Sequence, residues 1–297
     1  MTEFPISGVE TYWWLPVVTA FVISVFTSTG GVSGAFLLLP FQMSVLGFTS
    51  PAVSATNMLF NVVAIPSGVY RYAKERRLVK SLVWTTALGT LPGVLIGAIV
   101  RIKFFLDPRP FKFFVGLVLL YLGSRLIMDI SRRIAPVKSP GEKEFIVRNE
   151  KISFHSISYE FQGTNYRTSF WGIFGLSLAV GVIGGIYGIG GGAIISPFLV
   201  AVFGLPIHTV AGAALLGTFI TSIIGVIIYA TLAIWFAQPN LAISPDWALG
   251  CLFGVGGAAG IYIGARLQRL IPAWIIKVLL AACVIFVAVG YIWGFFT

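Results

Sequence analysis

Two long stretches of this 297-residue chain contain no Asp, Glu, Lys or Arg at all: residues 11–70 and residues 168–245. A water-soluble domain needs charged surface at helical or strand spacing, so such an absence excludes one. Charge is scarce throughout, at 10% of residues against 57% hydrophobic. Cysteine is nearly missing too. Cys251 and Cys283 both lie in apolar runs, which excludes a disulfide framework. The two histidines, His155 and His208, stand apart, and no Cys, His or carboxylate cluster has metal-ligand spacing. Neither a metal nor another cofactor is expected. Asp129 apart, no acidic residue lies deep in an apolar run, so a proton relay of buried carboxylates is not visible. There is no Walker loop. The one serine–histidine pairing open to an intramembrane protease is Ser33 with His208, which glycine-rich helices offer by chance. No catalytic residue is assigned, and the chain is not expected to be an enzyme.

What is there is apolar and continuous, without the period-two alternation of an outer-membrane barrel. Eight segments suit helical spans of roughly 20 residues. They are 13–46 and 170–203, both long and interrupted, and 52–70, 82–100, 113–130, 210–236, 247–267 and 274–296. The fold class is therefore an all-α polytopic membrane protein. The net charge of +10 gathers between spans, as in Arg71–Lys80 and the central loop. The positive-inside bias accounts for it, and nucleic acid is not an expected partner. The N-terminus lacks the basic region of a cleavable signal peptide, so the first apolar segment is expected to be retained.

The polar stretch 131–169 divides the chain into a first membrane repeat, 1–130, and a second, 170–297. Placing Pro40 on Pro197 also places Gly31 on Gly188, Gly34 on Gly191 and Gly47 on Gly204. Further on, Pro92–Ala98 matches Ala259–Ala265. These landmarks indicate an internal repeat. If each glycine-broken segment turns back, every half makes an odd number of crossings and the repeats are inverted. The basic loops then fall inside, with both termini outside. Arg101, Lys103, Arg109 and Lys112 disagree, since they would lie outside. In the central loop, apolar residues from Phe145 to Phe161 alternate with polar ones. Asn149-Glu150 and Gln162-Gly163 read as turns, so a small β-hairpin or three-stranded flap is expected.

The run Gly184–Gly192 cannot be an ordinary helix interior, because each Gly costs roughly 1 kcal/mol relative to Ala there. Irregular backbone at membrane depth is tolerated only where protein or a water-filled cavity satisfies it. A break ahead of Ala193–Pro197 leaves a half-helix N-terminus whose free N–H groups favour an anion. Gly31-Val32-Ser33-Gly34 is the weaker counterpart. By contrast, Gly89/Gly93/Gly97 and Gly256/Gly260/Gly264 recur every four residues and read as packing seams. On that seam Gly264→Ala is expected to be mild. Ser54, Thr56, Asn57 and Asn61 near the start of the second span, and Thr209, Thr218 and Thr221 in the matching span, are polar residues in apolar runs, and Tyr187 stands inside the second break.

The stretch Gly188–Leu199, with Phe203-Gly204-Leu205-Pro206 and Ala211-Gly212, resembles the hallmark of the TauE/SafE family of sulfite exporters and sulfonate permeases. Gly30–Pro40 and Pro92–Ala98 resemble parts of the same pattern. The resemblance implies an inner-membrane secondary transporter of sulfite, sulfonates or related small sulfur anions. On this reading an oxyanion sits where the two breaks meet, held by N–H groups at Gly31, Ser33, Gly34, Gly190, Gly191 and Gly192. Thr56, Asn57, Tyr187 and Thr218 would add side-chain hydrogen bonds, and rocking of the repeats would give alternating access. An anion channel of the same architecture is the alternative. The expected partners are the small anion and the lipid bilayer, with a coupling ion and a homo-oligomer left open.

Overall fold

The computed structural model describes residues 1–28, 33–74, 78–131, 147–238, 241–267 and 273–297. The apolar segments are helical because the bilayer core offers backbone groups no water. A short hairpin, β1 (Thr2–Phe4) and β2 (Val9–Thr11), comes first. It leads into α1 (Trp14–Ser28), α2 (Ala35–Ser44), α3 (Ala52–Ala64), α4 (Pro66–Lys74), α5 (Lys80–Phe104) and α6 (Pro108–Ser131). Strands β3 (Val147–Ile152), β4 (Ser156–Phe161) and β5 (Thr164–Ser169) follow. Then come α7 (Phe170–Tyr187), α8 (Gly192–Ala201), α9 (Ile207–Trp235), α10 (Trp247–Leu267) and α11 (Ala273–Phe296). Among the described residues, seven stretches are long and apolar enough to cross a membrane, α3 and α4 counting as one. At 10 residues each, α2 and α8 are not. A helix of that length rises about 15 Å, half the thickness of a hydrocarbon core.

The broken segments turn back. The Phe203 ring, just past α8, lies 3.0 Å from where a Cβ on Gly172 would sit, and Gly172 opens α7. The chain therefore leaves α8 on the face where it entered α7. Other contacts mark that face. Tyr159 of β4 meets Thr209 at the start of α9 at 2.9 Å. Glu150 of β3 accepts from the Ser81 N–H at the start of α5. The opposite face carries the N-terminal hairpin, where the Ser7 hydroxyl donates to Asp246, the residue before α10, at 2.8 Å. There too the Ala52 N–H, opening α3, donates to the Ala242 carbonyl. The first repeat begins on one face and the second on the other, so the repeats are inverted. The packing mirrors itself accordingly: α1 lies on α10 as α7 lies on α5, while α6 packs on α11 and α3 on α9.

Glycine builds the two parallel seams. Along α5, a Cβ on Gly89, Gly93 or Gly97 would overlap Phe174 and Ser177, Leu178 and Gly181, or Val182 and Gly185 in turn. Along α10, Gly256, Gly260 and Gly264 meet Val17, Phe21 and Val25 of α1 in the same way. One expectation is thereby corrected. A methyl on Gly264 would overlap both the Ser28 hydroxyl and the Val25 carbonyl, so Gly264→Ala is not mild.

The loop after α6 folds as expected into an antiparallel sheet, β3-β4-β5. Ile157, Tyr159 and Phe161 alternate inward along β4 and are buried. Gln162 and Gly163 form its tight turn, with φ of +53° and +74°. Asn149-Glu150 is not a turn. The β3–β4 register shifts there and Asn149 takes φ +51°, so the pair is a bulge. Phe145 lies outside the described residues. Arg101, the first of the cations that fell on the unexpected face, is fully buried. Its guanidinium donates to the Thr49 and Phe105 carbonyls and stacks 3.7 Å over the Phe111 ring. It ties the end of α5 to the α2–α3 link, so its placement follows from packing.

Candidate functional site

The second break is a sequence of left-handed residues. Gly188, Gly190 and Gly191 take φ of +88°, +67° and +86°, a region that costs other residues roughly 1–2 kcal/mol. Gly188 closes α7, its N–H donating to the Gly184 carbonyl at 2.7 Å. Four carbonyls around the break accept from side chains of other helices. Tyr229 donates to Gly185, Ser54 to Ile186, Asn57 to Gly188 and Thr221 to Gly190, at 2.8–3.2 Å.

The donors of the break are not satisfied. The N–H groups of Gly190, Gly191, Gly192 and Ala193 have no partner among the described residues. They stand at the start of α8, where the helix dipole is positive. Gly190, Gly191 and Gly192 line a narrow cleft of about 10 Å³, no roomier than a single water needs, with Thr86 and Thr90 of α5, Ile195 of α8, and Ala214, Gly217 and Thr218 of α9. None of these residues is charged. The three threonine hydroxyls donate to carbonyls one turn back on their own helices, each at 2.8 Å. Ser222 is fully buried and its hydroxyl has no partner among the described residues. That hydroxyl lies 2.7 Å from where a Cβ on Gly190 would sit. Thus four carbonyls of the break are capped, while its donors and one hydroxyl have no partner among the described residues. Such a surface suits an anion, which accepts hydrogen bonds without requiring a buried cation.

The structure brings Gly190, Gly191, Gly192 and Thr218 together in this cleft. Thr86 and Thr90 join them, and Ser222 lies beside Gly190; none of the three stands out in the sequence. The two α5 threonines carry only the signal of standing one turn apart beside a glycine seam. Tyr187, Asn57 and Thr56 sit elsewhere. The Tyr187 hydroxyl donates to the Phe36 carbonyl at 2.7 Å. Asn57 donates to the carbonyls of Ala35 and Gly188, and its Oδ1 accepts from Gln42. The Thr56 hydroxyl accepts from the Asp246 N–H. Tyr187 and Asn57 thus tie one break to the other. Ser33 and Gly34 are buried at the start of α2, and Gly31 lies outside the described residues.

Comparison with curated proteins and with solved structures gives no match. The family model described as "Sulfite exporter TauE/SafE" matches residues 17–291, nearly the whole chain and both glycine-broken hairpins. The chain belongs to the TauE/SafE family, a family of multi-pass membrane transporters.

Proposed function

We propose that the chain carries a small sulfur oxyanion, sulfite or a compact sulfonate, across the inner membrane by alternating access, with the anion held in the cleft at the start of α8. The observation that carries this reading is the run of unpartnered N–H groups at Gly190–Ala193, three of whose residues line a threonine-walled cleft. Thr86, Thr90 and Thr218 would each turn a hydroxyl from its own helix to the anion, trading a neutral hydrogen bond for a charge-assisted one. Ser222 would add a donor that nothing else uses. The cleft's small volume favours compact anions over arenesulfonates. Because the repeats are inverted, rocking one against the other moves the cleft between the two faces. The sheet's face is assigned to the cytosol by the positive-inside bias.

Uptake into vesicles of the purified protein, with sulfite, thiosulfate, sulfate, taurine and an arenesulfonate compared, tests the reading. The expected result is saturable flux of a compact sulfur anion with counterflow. Flux without saturation or counterflow would make the protein a channel. No flux of any of the five would overturn the reading. Impermeant thiol labelling of Ser153→Cys and Thr297→Cys tests the orientation, with only Thr297→Cys expected to react from outside.

A further inference from the structure

The first break presents the opposite chemistry. Three buried side chains around it have no hydrogen-bond partner. Ser24 and Asn61 are fully buried and Thr27 is 1% exposed. The two hydroxyls and both polar atoms of the Asn61 amide are unpaired. Leaving such groups unsatisfied at membrane depth is costly. Three together mark a place where something else supplies the missing bonds. Ser24 and Thr27 are one turn apart near the end of α1. Their oxygens lie 3.1 and 3.4 Å from where a Cβ on Gly34 would sit, so both face the start of α2. Asn61 stands one turn beyond Asn57, which donates to the Ala35 carbonyl. Under the pairing of Pro40 with Pro197, Asn61 corresponds to Thr218, a wall of the second-half cleft.

We propose that Ser24 Oγ, Thr27 Oγ1 and Asn61 Oδ1 form a site for a monovalent hard cation of the sodium class. The repeat supplies the reason for a cation here. In the second half, Ser54 and Thr221 cap the carbonyls of the break; their counterparts are Ala211 and Ala64, which donate nothing. The hydroxyl-bearing Ser24 and Thr27 stand where the second half has Gly181 and Gly184. One break has thus gained donors and kept its oxygens covered. The other has lost those donors and gained side-chain oxygens, beside the negative end of the α1 dipole. Three neutral oxygens without a carboxylate suit a single positive charge and serve a divalent ion poorly. That this cation drives anion movement rests on the transport reading; the site itself does not.

Binding of radioactive sodium to the purified full-length protein, without any anion and with potassium or choline as competitor, tests the site. Saturable binding is expected, weakened about tenfold or more by Asn61→Ala and by the near-isosteric Thr27→Val. Thr218→Val, in the other break, is expected to leave it unchanged. Absence of saturable sodium binding would overturn the proposal, as would binding that neither variant weakens in protein whose melting shows it folded. A loss of sulfite affinity in Asn61→Ala with sodium binding intact would replace the cation by a second anion. Sodium binding in a protein that moves no anion would defeat the transport reading alone.

Discussion

Superimposed through the repeat, the two glycine-broken hairpins differ in what occupies the space beside them. Next to the second break, α9 contributes Gly217 and α5 contributes Thr86, and a cleft remains. The corresponding positions beside the first break are Phe60 on α3 and Phe253 on α10, both fully buried. The Phe60 ring packs onto Gly257, which stands where the second half has Thr90. Two aromatic rings thus fill in one half the volume that a glycine and two threonines leave in the other. The backbone plan is shared, while the side chains make one half a cleft and the other a plug. An inverted repeat supplies two similar places, and single positions decide what each can hold.

The sharpest way to break this comparison is to give the second half the ring of the first. Gly217→Phe would drive an aromatic into the cleft, starting at Thr86, whose hydroxyl is 3.1 Å from a Cβ on Gly217. Uptake is expected to vanish in molecules that still melt cooperatively, because the ring is larger than the cleft and displaces the Thr86 side chain. Full uptake by this variant would move the anion out of the cleft. Next in size is Thr218→Val, which keeps shape and removes a hydroxyl. Loss of one hydrogen bond to an ionised ligand, about 1.5–3 kcal/mol, predicts a rise in KM of about tenfold to a hundredfold. An unchanged KM, measured by substrate dependence of uptake, would leave Thr218 as wall only.

Much of this architecture was legible in the chain. Pro40 and Pro197, with their glycines, marked the repeat. The glycines of Gly184–Gly192 marked the break, because consecutive residues without a Cβ are poor helix formers. The four-residue spacing of Gly89/Gly93/Gly97 marked a seam, though not how closely it is closed, which depends on backbone atoms of α7 that no pattern names. The roles of the polar side chains were less legible. Asn57 and Tyr187 read as ligand groups because polar residues are costly in a membrane. Sequence distance cannot tell a ligand from a carbonyl 131 residues away, and the partner of Asn57 is the latter. Thr86 and Thr90 went unremarked because a threonine bonded to its own helix is common in such segments.

The seam offers a third test, smaller in effect and separate from transport. Gly264→Ala inserts a methyl where Ser28 and the Val25 carbonyl already stand. Overpacking of this kind costs about 1–3 kcal/mol. A lower melting temperature with nearly normal uptake per folded molecule is expected. The equivalent Gly97→Ala, against Val182 and Gly185, should behave alike if the two seams are equivalent. A large difference between the two would show that the asymmetry of the breaks extends into the packing.

The smallest expected effect concerns the sheet, and it sharpens the comparison at the membrane surface. Each repeat opens with β-structure that touches the start of a helix from the other half. The first hairpin does so through Ser7 and Asp246, the three-stranded sheet through Glu150 and Ser81. The sheet has a further contact, Tyr159 to Thr209, on the helix that also walls the cleft. Burial pushes the Tyr159 phenol up to about 12, so the hydroxyl is intact at neutral pH. Tyr159→Phe keeps the ring stacked on Tyr166 and removes one neutral hydrogen bond, worth about 0.5–1.5 kcal/mol. Thr209 keeps its own donation to the Pro206 carbonyl, which limits the loss further. A drop in melting temperature of a few degrees with unchanged KM is the outcome for a sheet that only anchors α9. A changed maximal rate at unchanged stability would instead mean that the sheet moves with α9 during transport, a coupling the hairpin on the other face would then be expected to share.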